Sequence, residues 1–262
     1  MRIKTAFFLI FTIASAILFS GCAINGKPKE NIEEQKGDIY LQAGTEALLN
    51  ENTTEALAAL IQATKLLPNS ASAWNNLGLA YYAKKEPEKA KQAWEKALAI
   101  DPSFSDARNN IGAFYLEKRS YTKAEQEFKV VLKDLLYTNA HQTHYNLAIV
   151  YLREGKNLLA EQHLRLAVKE KENYCPAWQS LAKLEKEKGN YLQALESLKA
   201  ATSGICYANP GAHFEIAALY LMAHDKRSAK IKFLEIIEHF PSSLWARKAE
   251  ANLQLINNTG KQ

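Results

Sequence analysis

The sequence contains none of the short frameworks that carry independent catalysis. There is no H-E-x-x-H pair for a catalytic zinc, no G-x-S-x-G elbow, no complete phosphate loop and no C-x-x-C couple. Enzymatic activity and a small-molecule substrate are therefore not expected. The six histidines are scattered. His141 and His144 are spaced to share a helix face and His163 could add a third ligand, but solvated or packing roles account for them better, so no metal is expected. Runs of basic residues are missing too: no five Lys/Arg occur together, and the cations alternate with Glu along amphipathic stretches. The formal charge of +5 includes Arg2 and Lys4, leaving 31 basic against 28 acidic residues from position 22 onward. That balance excludes a phosphate-binding stripe, and no nucleic-acid partner is expected. At 47% hydrophobic residues the chain is too apolar to be disordered.

A membrane-spanning run is also lacking. The longest apolar stretch, Ala6 to Phe19, has 14 residues, short of the roughly 20 that a transmembrane helix needs. It follows basic Arg2 and Lys4 and precedes small Ser20 and Gly21, the layout of a signal peptide over residues 1–21. A retained membrane anchor is the alternative. The string Phe19-Ser20-Gly21-Cys22 resembles the lipobox of bacterial lipoproteins, departing from it only at Phe19, where Leu is preferred. The resemblance implies that the Cys22 thiol receives diacylglycerol and that its amine is acylated after cleavage. No cofactor beyond this covalent lipid is expected, and its acyl chains would hold the protein on a membrane. Residue 23 is Ala rather than Asp, which by resemblance to lipoprotein sorting rules favours the outer membrane, facing the periplasm. Residues 22–36, with Gly26, Pro28 and many polar groups, read as a flexible tether.

What the sequence has in abundance is self-similarity at a period near 34. In Ala71 to Phe104 the residues Trp74, Leu77, Gly78, Tyr81, Ala90, Trp94, Ala97 and Pro102 stand at positions 4, 7, 8, 11, 20, 24, 27 and 32 of such a unit. Small residues at 8, 20 and 27 let two antiparallel helices touch, large ones fill the space between them, and proline stops the second helix. The string resembles the tetratricopeptide consensus. Copies follow at 37–70, 71–104, 105–140, 141–174, 175–209 and 210–243, with two extra residues before the fourth and one before the sixth. Residues 244–257 read as a capping helix and 258–262 as a tail. The expected fold is all-α: a right-handed superhelical solenoid of six repeats, twelve or thirteen helices and no sheet, continuous over 37–257.

Cys175 and Cys206 occupy positions 1 and 32 of the fifth repeat. An antiparallel hairpin brings those positions to one end, so a disulfide is expected in an oxidising compartment, with two reduced thiols as the alternative. Positions 5, 9 and 12 of the first helices should line the concave surface: Asn75, Leu79 and Tyr82, then Asn109, Ala113 and Leu116, then Tyr145, Ile149 and Leu152. Apolar groups with interleaved amides suit capture of an extended or helical peptide; the alternative is that these leucines pack on neighbouring repeats. The basic clamp that chaperone-binding repeats use for a carboxylate is missing at Leu41, Thr45 and Asp106. Trp74, Trp94 and Trp178 fall at core positions and do not form a sugar platform.

A lipobox followed by six repeats, the insertion Asp134-Leu135-Leu136-Tyr137 and the Cys175/Cys206 pair together resemble the outer-membrane pilotins of type IV pili, the PilF/PilW/Tgl type. The resemblance covers Cys22 to about Asn257 and implies binding of a secretin segment in the groove while the lipid holds the complex at the bilayer. The competing expectation is a lipoprotein scaffold for cell-wall enzymes, proteases or outer-membrane protein assembly.

Overall fold

The computed structural model describes residues 32–258, all of whose regular structure is helical. Cys22 and the leader lie outside the described residues. Thirteen α-helices follow one another: α1 Ile32–Leu49, α2 Thr53–Leu66, α3 Ala71–Ala83, α4 Pro87–Ile100, α5 Ser105–Glu117, α6 Tyr121–Val131, α7 Ala140–Arg153, α8 Asn157–Glu170, α9 Cys175–Glu187, α10 Tyr191–Ala200, α11 Pro210–Met222, α12 Lys226–His239 and α13 Leu244–Asn258. They form six antiparallel pairs stacked in sequence, and α13 covers the end by packing Ala249 and Leu253 with Phe233 and Ile236. One boundary differs from expectation: α1 begins at Ile32, so residues 32–36 are helix rather than tether. Glu33 and Glu34 in its first turn favour the positive end of the helix dipole, and Gly37 is buried against Leu67 of the next link.

The period of 34 is a packing rule. Position 24 of each repeat, the series Leu60, Trp94, Phe128, Leu164, Leu198 and Phe233, is 2% exposed or less. Each faces position 8 of its own pair, and there the sequence keeps only Gly or Ala. A Cβ on Gly78 would stand 2.3 Å from the Trp94 ring, and one on Gly112 would stand 2.5 Å from Phe128. Opposite Leu164 and Leu198 position 8 is Ala148 or Ala182, whereas Leu60 faces Gly44 and Phe233 packs with Ala217. Helix starts are set by Pro87 and Pro210 at first-turn positions and by Ser70, Asn209 and Asp225, whose side chains accept the amides of Ala73, Ala212 and Ser228.

The turn between the two helices of every repeat is closed by one residue with positive φ at position 15: Glu51, Lys85, Arg119, Gly155, Gly189 and His224. After α3, Lys85 N–H bonds to Tyr82 O and Glu86 N–H to Tyr81 O, satisfying carbonyls of the last turn. A side chain in the left-handed region costs on the order of 1 kcal/mol. Lys85→Gly should therefore stabilise the protein by about 0.5–1 kcal/mol; a urea midpoint unchanged or lowered would count against this account of the turn.

Candidate functional site

The first helices of successive repeats line one face, and the sequence-predicted groove residues divide there into three groups. Asn75 and Asn109 are 5% and 6% exposed, which corrects the expectation that their amides meet a ligand. They belong to a set of hydrogen bonds that link the first helices of the first four repeats. Asn76 Nδ2 donates to Thr45 Oγ1 at 2.8 Å, Asn75 Nδ2 to Asn76 Oδ1 at 3.1 Å, Asn110 Nδ2 to Asn75 Oδ1 at 2.9 Å, and Thr143 Oγ1 to Asn109 Oδ1 at 3.0 Å. A buried amide without a partner costs about 1–3 kcal/mol, so these amides are committed to holding α1, α3, α5 and α7 in register. Sequence reasoning missed Asn76, Asn110, Thr45 and Thr143. The doublets Asn75-Asn76 and Asn109-Asn110, one repeat apart, were the available signal.

In the second group, packing claims Leu79, which lies against the Trp94 and Phe114 cluster, and Ala113, which packs on the Phe128 cluster. Tyr145 sits edge-on to Tyr174 with ring centroids 5.5 Å apart. Tyr82 is exposed, and its hydroxyl donates to Glu117 Oε2 at 2.8 Å across to α5. Hydrogen bonding to that carboxylate is the main reason its phenol titrates above the ordinary value.

The third group, Leu116, Ile149 and Leu152, borders an open groove, Leu116 and Leu152 with one side packed on the Phe128 cluster and Ile149 in no core cluster. A cleft of about 390 Å³ is bounded by Leu116, Glu117, Arg119, Tyr121, Ile149 and Arg153. A second, of about 260 Å³, continues past Ile149, Leu152 and Arg153 to Asn157, Ser180, Lys183, Leu184 and Glu187. Ile149 and Arg153 border both, so the clefts join into one path across α5, α7 and α9. The path therefore lies one repeat further along the chain than the sequence strip suggested. Its rim residues Glu117, Arg153 and Glu187 are position 13 of repeats three, four and five, one step beyond the positions expected to face a ligand. An apolar floor flanked by alternating acid and base can bury the side chains of a bound segment while its ends are fixed by charge.

Cys175 and Cys206 are joined by a disulfide, with Cα atoms 5.5 Å apart. The bridge ties the start of α9 to the link before α11. Histidines come together as a pair and not as a triad. His144 Nδ1 and His163 Nδ1 are 2.9 Å apart, whereas His141 packs edge-on against Tyr174. Burial pushes the His163 imidazole down to about 4, with His144 the next cause, and burial also lowers His144. One neutral ring thus donates to the other near neutral pH. The indoles of Trp74 and Trp178 each donate to a backbone carbonyl six residues earlier, Pro68 O at 2.9 Å and Glu172 O at 2.7 Å. They serve as internal braces.

Comparison with known proteins agrees with this architecture. Family models described as tetratricopeptide repeat match residues 71–104 and 93–126, and a TPR-repeat model matches 49–85. The type IV pilus assembly protein PilF of Pseudomonas aeruginosa is 28% identical over 178 residues, which is 66% of this chain and 69% of that protein. The solved structure of P. aeruginosa PilF superposes with a TM-score of 0.71 at 25% identity, covering 84% of this chain and 99% of that one. That of PilW, described as a widely conserved type IV pilus biogenesis factor, also gives 0.71, at 21% identity over 82% of this chain and 98% of its own.

Proposed function

We propose that this tetratricopeptide-repeat protein, with type IV pilus assembly proteins among its relatives, is a lipid-anchored pilotin: it binds a segment of the pilus secretin in the α5–α7–α9 groove and accompanies that secretin to the outer membrane. The observation that carries the pilus assignment is the likeness to PilF, which extends over most of both chains in sequence and in fold. The groove supplies the recognition chemistry. Ile149 and Arg153 are common to both of its clefts, and Ile149, the apolar one, belongs to none of the packed core clusters. The anchor rests on the lipobox ending at Cys22, and its acyl chains would place the solenoid at the periplasmic face of the outer membrane. The work is coupling: peptide binding on one surface, membrane residence through the other. It requires no chemical step. No helix among the described residues is long and apolar enough to cross a membrane.

The test is an immunoblot for heat-resistant secretin multimers in outer membranes. Multimers should be lost in a deletion strain and in cells carrying Ile149→Asp, whose helical circular dichroism should stay that of the parent. Cys22→Ala should move the protein to the soluble periplasmic fraction and reduce outer-membrane multimers at least about ten-fold, because the acyl chains are the membrane anchor of this reading. Unchanged multimers in all three strains would sink the pilotin reading and favour a general envelope scaffold.

A further inference from the structure

The chain enters the fold at a particular edge. Gly37 lies against Leu66 and Leu67 at the end of α2, and Glu33, Glu34 and Asp38 share a surface cleft with Leu67, Pro68 and Asn69. Because the helices of each pair are antiparallel, every link from a second helix to the next first helix lies on this same edge. Two of those links are longer than the rest, 132–139 and 201–209. They also carry the most exposed aliphatic side chains on that edge within the repeats, Leu135 at 94%, Leu136 at 90% and Ile205 at 72%.

Both links that bear these prongs are braced by contacts to the fold. Asp134 Oδ2 accepts from Ser105 Oγ at 2.6 Å and Asp134 Oδ1 from Leu136 N–H at 3.1 Å, while the Tyr137 hydroxyl donates to Asp106 Oδ1 at 2.9 Å. Ile205 lies in a single 3₁₀ turn, Gly204–Cys206, pinned by the disulfide. Presenting two adjacent leucines to water on a braced turn is unfavourable unless an apolar medium receives them.

We propose that this edge is the face laid against the bilayer, with Leu135, Leu136 and Ile205 inserted among lipid acyl chains beside the anchor. The inference rests on the reading of Cys22 as lipidated. Nine residues separate Cys22 from Ile32, a reach of at most ~35 Å, and they join the fold at the start of α1, on the edge that carries the prongs. Charges around the prongs are mixed, with Lys133, Lys169 and Lys171 exposed beside Asp134, Glu170 and Glu172. The contact is therefore apolar insertion rather than attraction to anionic headgroups. The opposite edge also shows leucines, Leu49, Leu158 and Leu192 at 80%, 69% and 77% exposure, but they lie at the end of α1 and the starts of α8 and α10, away from the point where the tether joins. They provide a comparator of equal chemistry and different position.

The experiment uses the full lipoprotein with one reporter thiol, Leu136→Cys or Leu192→Cys, carrying an environment-sensitive dye. The protein is reconstituted in vesicles of phosphatidylethanolamine and phosphatidylglycerol that contain a quencher within the acyl region. Quenching should be about five-fold stronger at 136 than at 192, and adding 0.5 M salt should leave it unchanged. Equal quenching at both sites, or none at 136, overturns the proposal, as does shielding at 136 that requires an added outer-membrane protein extract. The mass of the N-terminal peptide from the same sample reports the anchor separately. An acylated Cys22 with an unquenched 136 rejects the insertion alone; an unacylated Cys22 rejects the anchor and the insertion together.

Discussion

Phe128→Ala is expected to destabilise the protein by about 3–5 kcal/mol, enough to unfold much of a solenoid whose repeats are stabilised only by their neighbours. Phe128 is fully buried and packs with Ala124, Leu147, Val150, Tyr151 and Ala160, joining the third repeat to the fourth. The cavity cannot be filled from across the pair, because the residue facing the ring is Gly112. The companion changes test the same geometry. Gly112→Ala alone forces a methyl group into the ring and should cost about 1–3 kcal/mol. Combined with Phe128→Leu it recreates the Ala148/Leu164 pairing that the fourth repeat already uses. The double variant should thus be more stable than the sum of the two single effects predicts, by on the order of 1 kcal/mol. Urea denaturation followed by circular dichroism reads all four proteins. Strict additivity would refute the view that positions 8 and 24 are chosen as a pair.

Removing the disulfide should have an effect of similar size. Cys175 and Cys206 close a segment with a separation of 31 residues, and the chain-entropy account of such a crosslink gives about 3–4 kcal/mol. The segment is in particular need of it. At ten residues α10 is the shortest of the thirteen helices, and the link from 201 to 209 that follows is one of the two longest. Cys175→Ser with Cys206→Ser, or reduction of the parent, should lower the melting temperature by on the order of 10 °C, and the double-serine protein should not respond to reductant. The loss should reach function as well, because α9 carries Ser180, Lys183, Leu184 and Glu187 of the groove wall. A parent protein that melts at the same temperature with and without reductant would show that the hairpin is stable without its bridge.

The repeat core was legible because the constraint at each core position is local. Gly or Ala at position 8, a large side chain at 24 and proline or an acceptor side chain at helix starts are each readable one residue at a time, and six repetitions make the pattern unambiguous. The groove was legible only in part. Leu116, Ile149 and Leu152 border the clefts, but Leu116 and Leu152 also pack on the Phe128 cluster, as leucines at a repeat interface do. Asn75 and Asn109 share the same positional logic, yet they are buried. Their fate depends on Thr45, Asn76, Asn110 and Thr143, three of which lie in other repeats, and no spacing rule within one repeat announces a ladder between repeats. The positive-φ residues at position 15 were visible only where they are Gly155 and Gly189. Lys85 and Arg119 hide the same backbone requirement under an ordinary side chain.

By itself, then, the sequence determined the all-helical repeat architecture, the pairing of small with large residues across each hairpin and the positions from which two cysteines meet. All of these follow from contacts within one unit of about 34 residues. Tertiary structure alone decided which concave residues remain open to a partner, where the groove runs, and that the leucines of the lengthened link share an edge with the start of α1. Those features arise from the rotation and stacking of one repeat on the next, where a side chain's surroundings are supplied by residues dozens of positions away.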